Sequence, residues 1–316
     1  MAFFSGNKQA DDQDETAKNI FMFELVQKNI LVTGANGQLG SEIRRVSENH
    51  EKNFKFFFTD VAELDITNLE AIESFLRENN IKYIINCAAY TAVDKAEDDV
   101  ELCYKINRDA VLKLGTAATN NGAKVIHIST DYVYDGTNTK PYIETDPTNP
   151  QSVYGKSKRD GETGLLEVCP ESIIIRTAWL YSIFGNNFVK TMMKYGAERD
   201  SLNVVADQSG SPTNAADLAQ AIIKILDHSE ANKFESGVYH YSNEGVTTWY
   251  DFTLAILKDA GIVCDVKPIT TEEYPTKATR PKYSVLDKSK IKSTFHLSIP
   301  DWESSLNICI KELLSK

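Results

Sequence analysis

No apolar run in this chain approaches the roughly 20 residues a helix needs to cross a bilayer, so no membrane-spanning segment is expected. The start also lacks a basic stretch followed by an apolar one, so secretion is not indicated and a cytoplasmic location is expected. Positive charge is in deficit. A formal net charge of -11 leaves no global field to attract a nucleic-acid backbone or an anionic membrane, and neither is expected as a partner. An anionic small molecule remains compatible, because a few local cations or helix N-H groups suffice to hold one. The five cysteines, Cys87, Cys103, Cys169, Cys264 and Cys309, never fall in a CxxC spacing. Scattered and odd in number, they argue against a disulfide framework or a zinc site and fit a reducing compartment. Internal repeats and low-complexity tracts are missing too.

What is present is an ordinary globular composition, 42% hydrophobic and 25% charged over 316 residues, enough chain to bury a substantial core. Residues 1–28 include the polar run Gln9 to Lys18 and precede the first strand signal, so they are expected to form a loosely ordered extension. From Asn29 onward, short β-rich runs alternate with longer stretches of helical periodicity. The strands are expected at 29–33, 54–59, 82–87, 124–129 and 172–176, with helices starting near Gln38, Asn68, Val100 and Ser152 filling the gaps. This order predicts an α/β, Rossmann-like doubly wound parallel sheet. After Trp179 the rhythm loosens, with helices expected at 187–199, 215–226 and 248–260 and a strand at 237–241. The chain is thus expected to divide into a dinucleotide-binding domain, 29–180 plus about 213–243, and a smaller carboxy-terminal substrate lobe, 181–212 and 244–316.

The first strand runs directly into Gly34-Ala35-Asn36-Gly37-Gln38-Leu39-Gly40 and then into a helix. Glycines at such a junction allow a tight turn and a close backbone approach to a pyrophosphate, whose charge meets the helix N-H groups. The spacing is GxxGxxG rather than GxGxxG, and glycine-rich turns also occur without ligands. Asp60 ends the second strand run 20 residues after Gly40, where a carboxylate can accept from the adenosine ribose hydroxyls; a solvated loop acid is the alternative. An acid there repels the extra phosphate of NADP. The expectation is therefore NADH use with NADPH tolerated, Arg44 or Arg45 offering compensation.

Tyr154-Gly155-Lys156-Ser157-Lys158 opens a helical segment, so Tyr154 and Lys158 fall on one face, one turn apart. A phenol is a poor proton donor near neutrality, and an adjacent ammonium lowers its pKa by favouring phenolate. A surface tyrosine lying on a lysine stem is the bland alternative. Thr130 closes the strand run before it, at the carboxyl end where a ligand crevice opens in a parallel sheet. The chemistry this predicts is ketone reduction. Tyr154 protonates the developing alkoxide, Thr130 hydrogen-bonds the same oxygen, and Lys158 tunes the phenol and holds the nicotinamide ribose.

Glycine loop, strand-end Ser/Thr and YxxxK, in this order, resemble the extended short-chain dehydrogenase/reductase superfamily. The segments Cys87 to Glu97, Ser129 to Gly136, Arg176 to Trp179 and Asp207 to Thr213 are similar to the dTDP-4-dehydrorhamnose reductase family, and the similarity spans about 29–310. The resemblance implies reduction of the 4-keto group of dTDP-6-deoxy-L-lyxo-4-hexulose to dTDP-L-rhamnose, with a nucleotide-sugar substrate and NADH or NADPH as cofactor. It makes Thr130, Tyr154 and Lys158 the catalytic trio. Val93, Tyr132 and Trp179 join Thr130 and Tyr154 at the sugar, and Arg280 of the Arg280-Pro281 segment meets the nucleotide or pyrophosphate end. The cofactor contacts expected are Gly34, Asn36, Gly37, Gln38, Leu39, Gly40, Asp60, Asp65, Ala88, Ala89, Tyr154 and Lys158. Trp179 reads equally as a core residue, and Arg280 as a surface cation.

Some members of that family hold Mg2+ through carboxylates at a dimer contact, one of them at the position of Glu42. Here another such position falls on Ala216, with Asp217 alongside. The match is incomplete, no metal ligand is assigned, and a homodimer stays open. Two rivals share the glycine loop and YxxxK: a non-catalytic relative resembling the regulatory subunit of methionine adenosyltransferase, and a nucleotide-sugar epimerase or dehydratase. The first lacks the Thr91 to Ala96 run and the Trp179 position present here; the second keeps its NAD bound and shows no net redox change.

Overall fold

The computed structural model describes residues 27–50 and 52–315. Of the extension expected over 1–28, all but the last two positions lie outside the described residues, and Lys28 already pairs in the first strand rather than belonging to a tail. Six parallel strands form the central sheet: β1 (Lys28–Thr33), β2 (Phe54–Thr59), β3 (Ile81–Asn86), β4 (Lys124–Thr130), β5 (Ser172–Thr177) and, much later in the chain, β10 (Gly237–Tyr241). Their order is β10-β5-β4-β3-β1-β2. The chain steps from β1 outward to β2, then crosses back so that β3 lies on the other side of β1, and the crevice opens at that reversal. The expected doubly wound α/β sheet is the one observed, with strand ends within about a residue of the sequence reading.

The strands read as near-continuous Ile, Val and Phe runs because both faces of a parallel sheet are covered. One face packs Ile30, Val32, Ile126, Ile173 and Ile175 against the Gln38–Ser47 and Ala215–Ala231 helices. The other packs Leu31, Ile84, Val125 and Ile174 under the Leu69–Glu78 and Ala110–Asn121 helices, with Leu165 of the Val153–Val168 helix.

Beyond β5 the architecture changes scale. β6 (Leu180–Tyr181) pairs with β9 (Thr213–Asn214), β7 (Ser201–Val205) with β12 (Asp265–Ile269), and β8 (Ser209–Gly210) with β11 (Thr247–Thr248). Around them Tyr181, Phe252, Trp302 and Leu306 form a separate aromatic core. The β7–β12 pair and the helices Ser289–Phe295 and Trp302–Leu314 add to what the sequence pattern predicts for this region.

Candidate active site

The glycine turn follows β1 directly. Gly34 sits at φ +64, and a Cβ there would lie 2.6 Å from the Ala88 backbone nitrogen. Only glycine fits, because the backbone is left-handed and the end of β3 crosses it. The Gln38–Ser47 helix then begins with Gly37 at its N-cap, with no side-chain cap and no acid in its first turn. Its leading N-H groups therefore face the cleft without a carboxylate competing for them. Asp60, one residue past β2, ties this turn to the sheet: its carboxylate accepts from the Asn36 N-H at 3.1 Å and the Val61 N-H at 2.9 Å. Asp65 accepts from the Thr67 N-H at 2.8 Å, a bond that holds its carboxyl below the ordinary carboxylate value.

Ser152 caps the Val153–Val168 helix by accepting from the Gly155 N-H at 3.1 Å. Tyr154 thus falls in the first turn and Lys158 one turn on. Gly155 is needed there because a Cβ would come within 2.3 Å of the Tyr132 carbonyl oxygen. That approach brings the helix against the Asp131–Val133 turn that continues β4. The rings of Tyr132 and Tyr154 meet edge to face at 5.5 Å. The Thr130 hydroxyl donates to Asp131 Oδ1 at 3.0 Å, accepts from the Tyr132 N-H at 3.2 Å and hydrogen-bonds the Tyr154 phenol.

These groups surround one cleft of about 840 Å3. Of the residues expected from sequence, it is lined by Gly34, Gly37, Gln38, Leu39, Gly40, Asp60, Asp65, Ala88, Ala89, Val93, Thr130, Tyr132, Tyr154, Lys158 and Trp179. Two are not brought into it. Asn36 is exposed and contributes its backbone N-H to Asp60, while Arg280 lies along a neighbouring groove, paired with Asp94 at 2.7 and 3.0 Å. Trp179 is no ordinary core residue: it sits half-buried at φ +49, unusual for a bulky side chain, and stacks on Trp249 at 3.5 Å.

The lowering of the phenol that the Tyr154–Lys158 spacing predicts is outweighed by burial. Burial pushes the Tyr154 phenol above its ordinary value, the Thr130 hydrogen bond opposing and Asp131 reinforcing, so no lowering by Lys158 prevails. Lys158 instead donates its Nζ to the Ile128 carbonyl at 2.7 Å. Burial brings its own pKa down to about 8, against the nearby Glu162 carboxylate. The compensation expected from Arg44 or Arg45 also finds other uses: Arg44 lies over the Phe58 ring at 4.3 Å, and Arg45 pairs with Glu42 and Glu312.

Sequence reasoning missed Asp131, whose carboxyl is buried and pushed up to about 6 by desolvation. It also missed Lys105 and the Gly185–Asn187 loop, both of which line the cleft. Lys105 begins a π-helical turn, Lys105–Asp109, a distortion with no composition signal. At the Mg2+ positions that the resemblance raised, Glu42 accepts from Ser182 and pairs with Arg45, and Asp217 accepts from Asn243 and Ser305. Among the described residues no cluster of three or more His, Cys, Asp or Glu is arranged to hold a metal ion, and no helix is long and apolar enough to cross a membrane.

A doubly wound sheet with a glycine turn at its switch point, Thr130 at the end of β4 and Tyr154 and Lys158 on the helix beside it, defines a dinucleotide-dependent oxidoreductase of the short-chain dehydrogenase/reductase type. The family model described as RmlD substrate binding domain matches residues 28–315. A dTDP-4-dehydrorhamnose reductase of Aggregatibacter actinomycetemcomitans is 42% identical, covering 88% of this chain and 96% of that protein. Among solved structures, a dTDP-4-dehydrorhamnose reductase of Clostridium acetobutylicum superposes with a TM-score of 0.85 at 44% identity, covering 90% of this chain and 99% of the other. One from Bacillus anthracis, solved in complex with NADP, gives 0.86 at 38%, covering 91% and 100%. The chain belongs to the dTDP-4-dehydrorhamnose reductase family.

Proposed function

We propose that this chain reduces the 4-keto group of dTDP-6-deoxy-L-lyxo-4-hexulose to give dTDP-L-rhamnose. The observation that carries the reading is the meeting of Thr130, Tyr154 and Lys158 in the cleft that the glycine turn also lines. Gly34, Gly37 and the uncapped helix start fit a pyrophosphate, and Asp60 and Asp65 fit the adenosine end. When bound, NADH or NADPH supplies the hydride. Tyr154 gives its phenolic proton to the carbonyl oxygen as charge grows there, and Thr130 turns its hydroxyl from Asp131 to donate to that oxygen. Lys158 holds the nicotinamide ribose and answers the charge left on the phenol. Val93, Tyr132 and Trp179 face the sugar, and Arg280 exchanges its Asp94 partner for the phosphates of the nucleotide. On this reading, residues 29–180 with about 213–243 carry the dinucleotide, and 181–212 with 244–316 carry the nucleotide sugar.

A carboxylate at Asp60 disfavours a 2′-phosphate, so NADH is the preferred donor and NADPH an accepted one. The test supplies the dTDP-4-keto sugar with each donor, follows the loss of reduced-cofactor absorbance and identifies the product. Stoichiometric oxidation with dTDP-L-rhamnose formed supports the reading. Tightly bound NAD with no net oxidation points instead to an epimerase or dehydratase, and a protein inert toward both substrate and donor to a binding subunit.

A further inference from the structure

Behind the cleft, buried polar groups run from β1 to Lys158. The Oδ1 of Asn86 receives the Thr33 hydroxyl at 2.7 Å and the Ala88 N-H at 3.2 Å. A backbone N-H can only donate, so it fixes which end of the Asn86 amide is oxygen. The Nδ2 end then meets His127 Nδ1 at 3.0 Å, and because the amide nitrogen also only donates, Nδ1 accepts. His127 is wholly buried, and desolvation beside Lys158 keeps its ring neutral. The single ring proton therefore sits on Nε2, which lies 3.3 Å from Lys158 Nζ. An ammonium carries three donors and no acceptor. Facing Nε2-H, it sets donor against donor, whereas a neutral amine offers its lone pair while still donating to the Ile128 carbonyl at 2.7 Å.

We propose that His127 is a positioning residue for the ketone reduction, whose Nε2-H faces Lys158 Nζ and keeps that nitrogen exchanging between ammonium and amine instead of standing as a permanent cation. The inference rests on the roles given above to Tyr154 and Lys158. The other titratable groups acting on Lys158 are Glu162 on its own helix, Cys103 from the Val100–Tyr104 helix and Cys87 beyond β3. Burial pushes the Cys87 thiol up to about 12 and raises that of Cys103, so neither supplies a charge. Glu162 is committed to Arg176 at 2.6 Å. His127 is thus the group in direct contact that opposes the ammonium.

Nitrogen-15 NMR of the intact protein reads the tautomer without any substitution. A neutral ring protonated at Nε2 is expected; protonation at Nδ1, or at both nitrogens near neutral pH, overturns the inference. As a second arm, the amide side chain introduced by His127→Gln can turn its carbonyl toward Nζ, accept from the ammonium and raise the Lys158 titration. The alkaline limb of kcat/KM should then move up by about one pH unit, with cofactor Kd unchanged. A folded variant whose limb stays in place overturns the proposal, and if the variant does not fold, the spectrum of the unaltered protein decides. A wild-type protein that does not reduce the keto sugar overturns the functional reading, while the tautomer result still decides the placement of the proton.

Discussion

The groups expected to do the chemistry and those expected to hold the sugar are mounted differently. Tyr154 and Lys158 ride on a helix of 16 residues, and that helix is bolted to β5 by a buried ion pair in which Arg176 donates to Glu162 at 2.6 and 3.0 Å and also to the Tyr134 hydroxyl at 2.7 Å. Trp179 and Arg280 instead stand on loops, Trp179 just before the two-residue strand β6, held by a ring stack and by an ion pair half open to water. The contrast matches two demands. On the proposed roles, proton and hydride geometry, which tolerates little displacement, rests on a helix locked to the sheet, while recognition of a sugar nucleotide falls to shorter elements with room to adjust.

Breaking the buried side of this comparison should have the largest effect. Glu162→Gln leaves the Arg176 guanidinium buried without its counter-charge and should cost about 3–5 kcal/mol of stability in chemical denaturation. Loss below about 1 kcal/mol would mean that the helix is held by packing alone. Next comes the chemistry itself: Tyr154→Phe should lose roughly two or more decades in turnover while binding cofactor normally, and unchanged turnover removes the residue from the mechanism.

Two effects sharpen the other side. Trp179→Ala removes a stacked aromatic wall and should raise KM for the sugar nucleotide by roughly tenfold with a smaller change in kcat. Arg280→Ala should cost less than about 1 kcal/mol of stability, because its pair with Asp94 is partly solvated, and its effect should show mainly in KM. The pH profile bridges the two sides. Lys158 carries a charge below about 8 and loses it above, so if the ammonium answers the charge on the Tyr154 phenol, kcat/KM for reduction should be full on the acid side and fall as pH rises through that value.

The sheet was legible because its strands are apolar runs such as Ile30 to Val32 and Ile173 to Ile175, punctuated by a glycine turn whose purpose is local. The Tyr154–Lys158 spacing was legible for the same reason, since both residues belong to one helix. The surroundings of Lys158 were not. Its partners Ile128 and His127 lie 30 and 31 positions away, on a strand whose sequence says nothing of which side chain will face the lysine. Arg280 shows the same limit, its charge being claimed by Asp94 from 186 positions upstream. β12 was hidden by Pro268 and by charged residues at an exposed position of a two-stranded pair. The final helix did leave a signal, with Asp301 as N-cap and Trp302, Leu306, Cys309 and Ile310 at helical spacing.

The most direct test is a crystal structure of the protein with oxidised dinucleotide and dTDP-L-rhamnose bound. The pyrophosphate is expected on the Gly34 to Gly40 turn, and the sugar C4 hydroxyl within hydrogen-bonding reach of both the Tyr154 and Thr130 hydroxyls. A dinucleotide seated away from that turn, or a sugar whose C4 oxygen meets neither hydroxyl, would contradict the proposed chemistry.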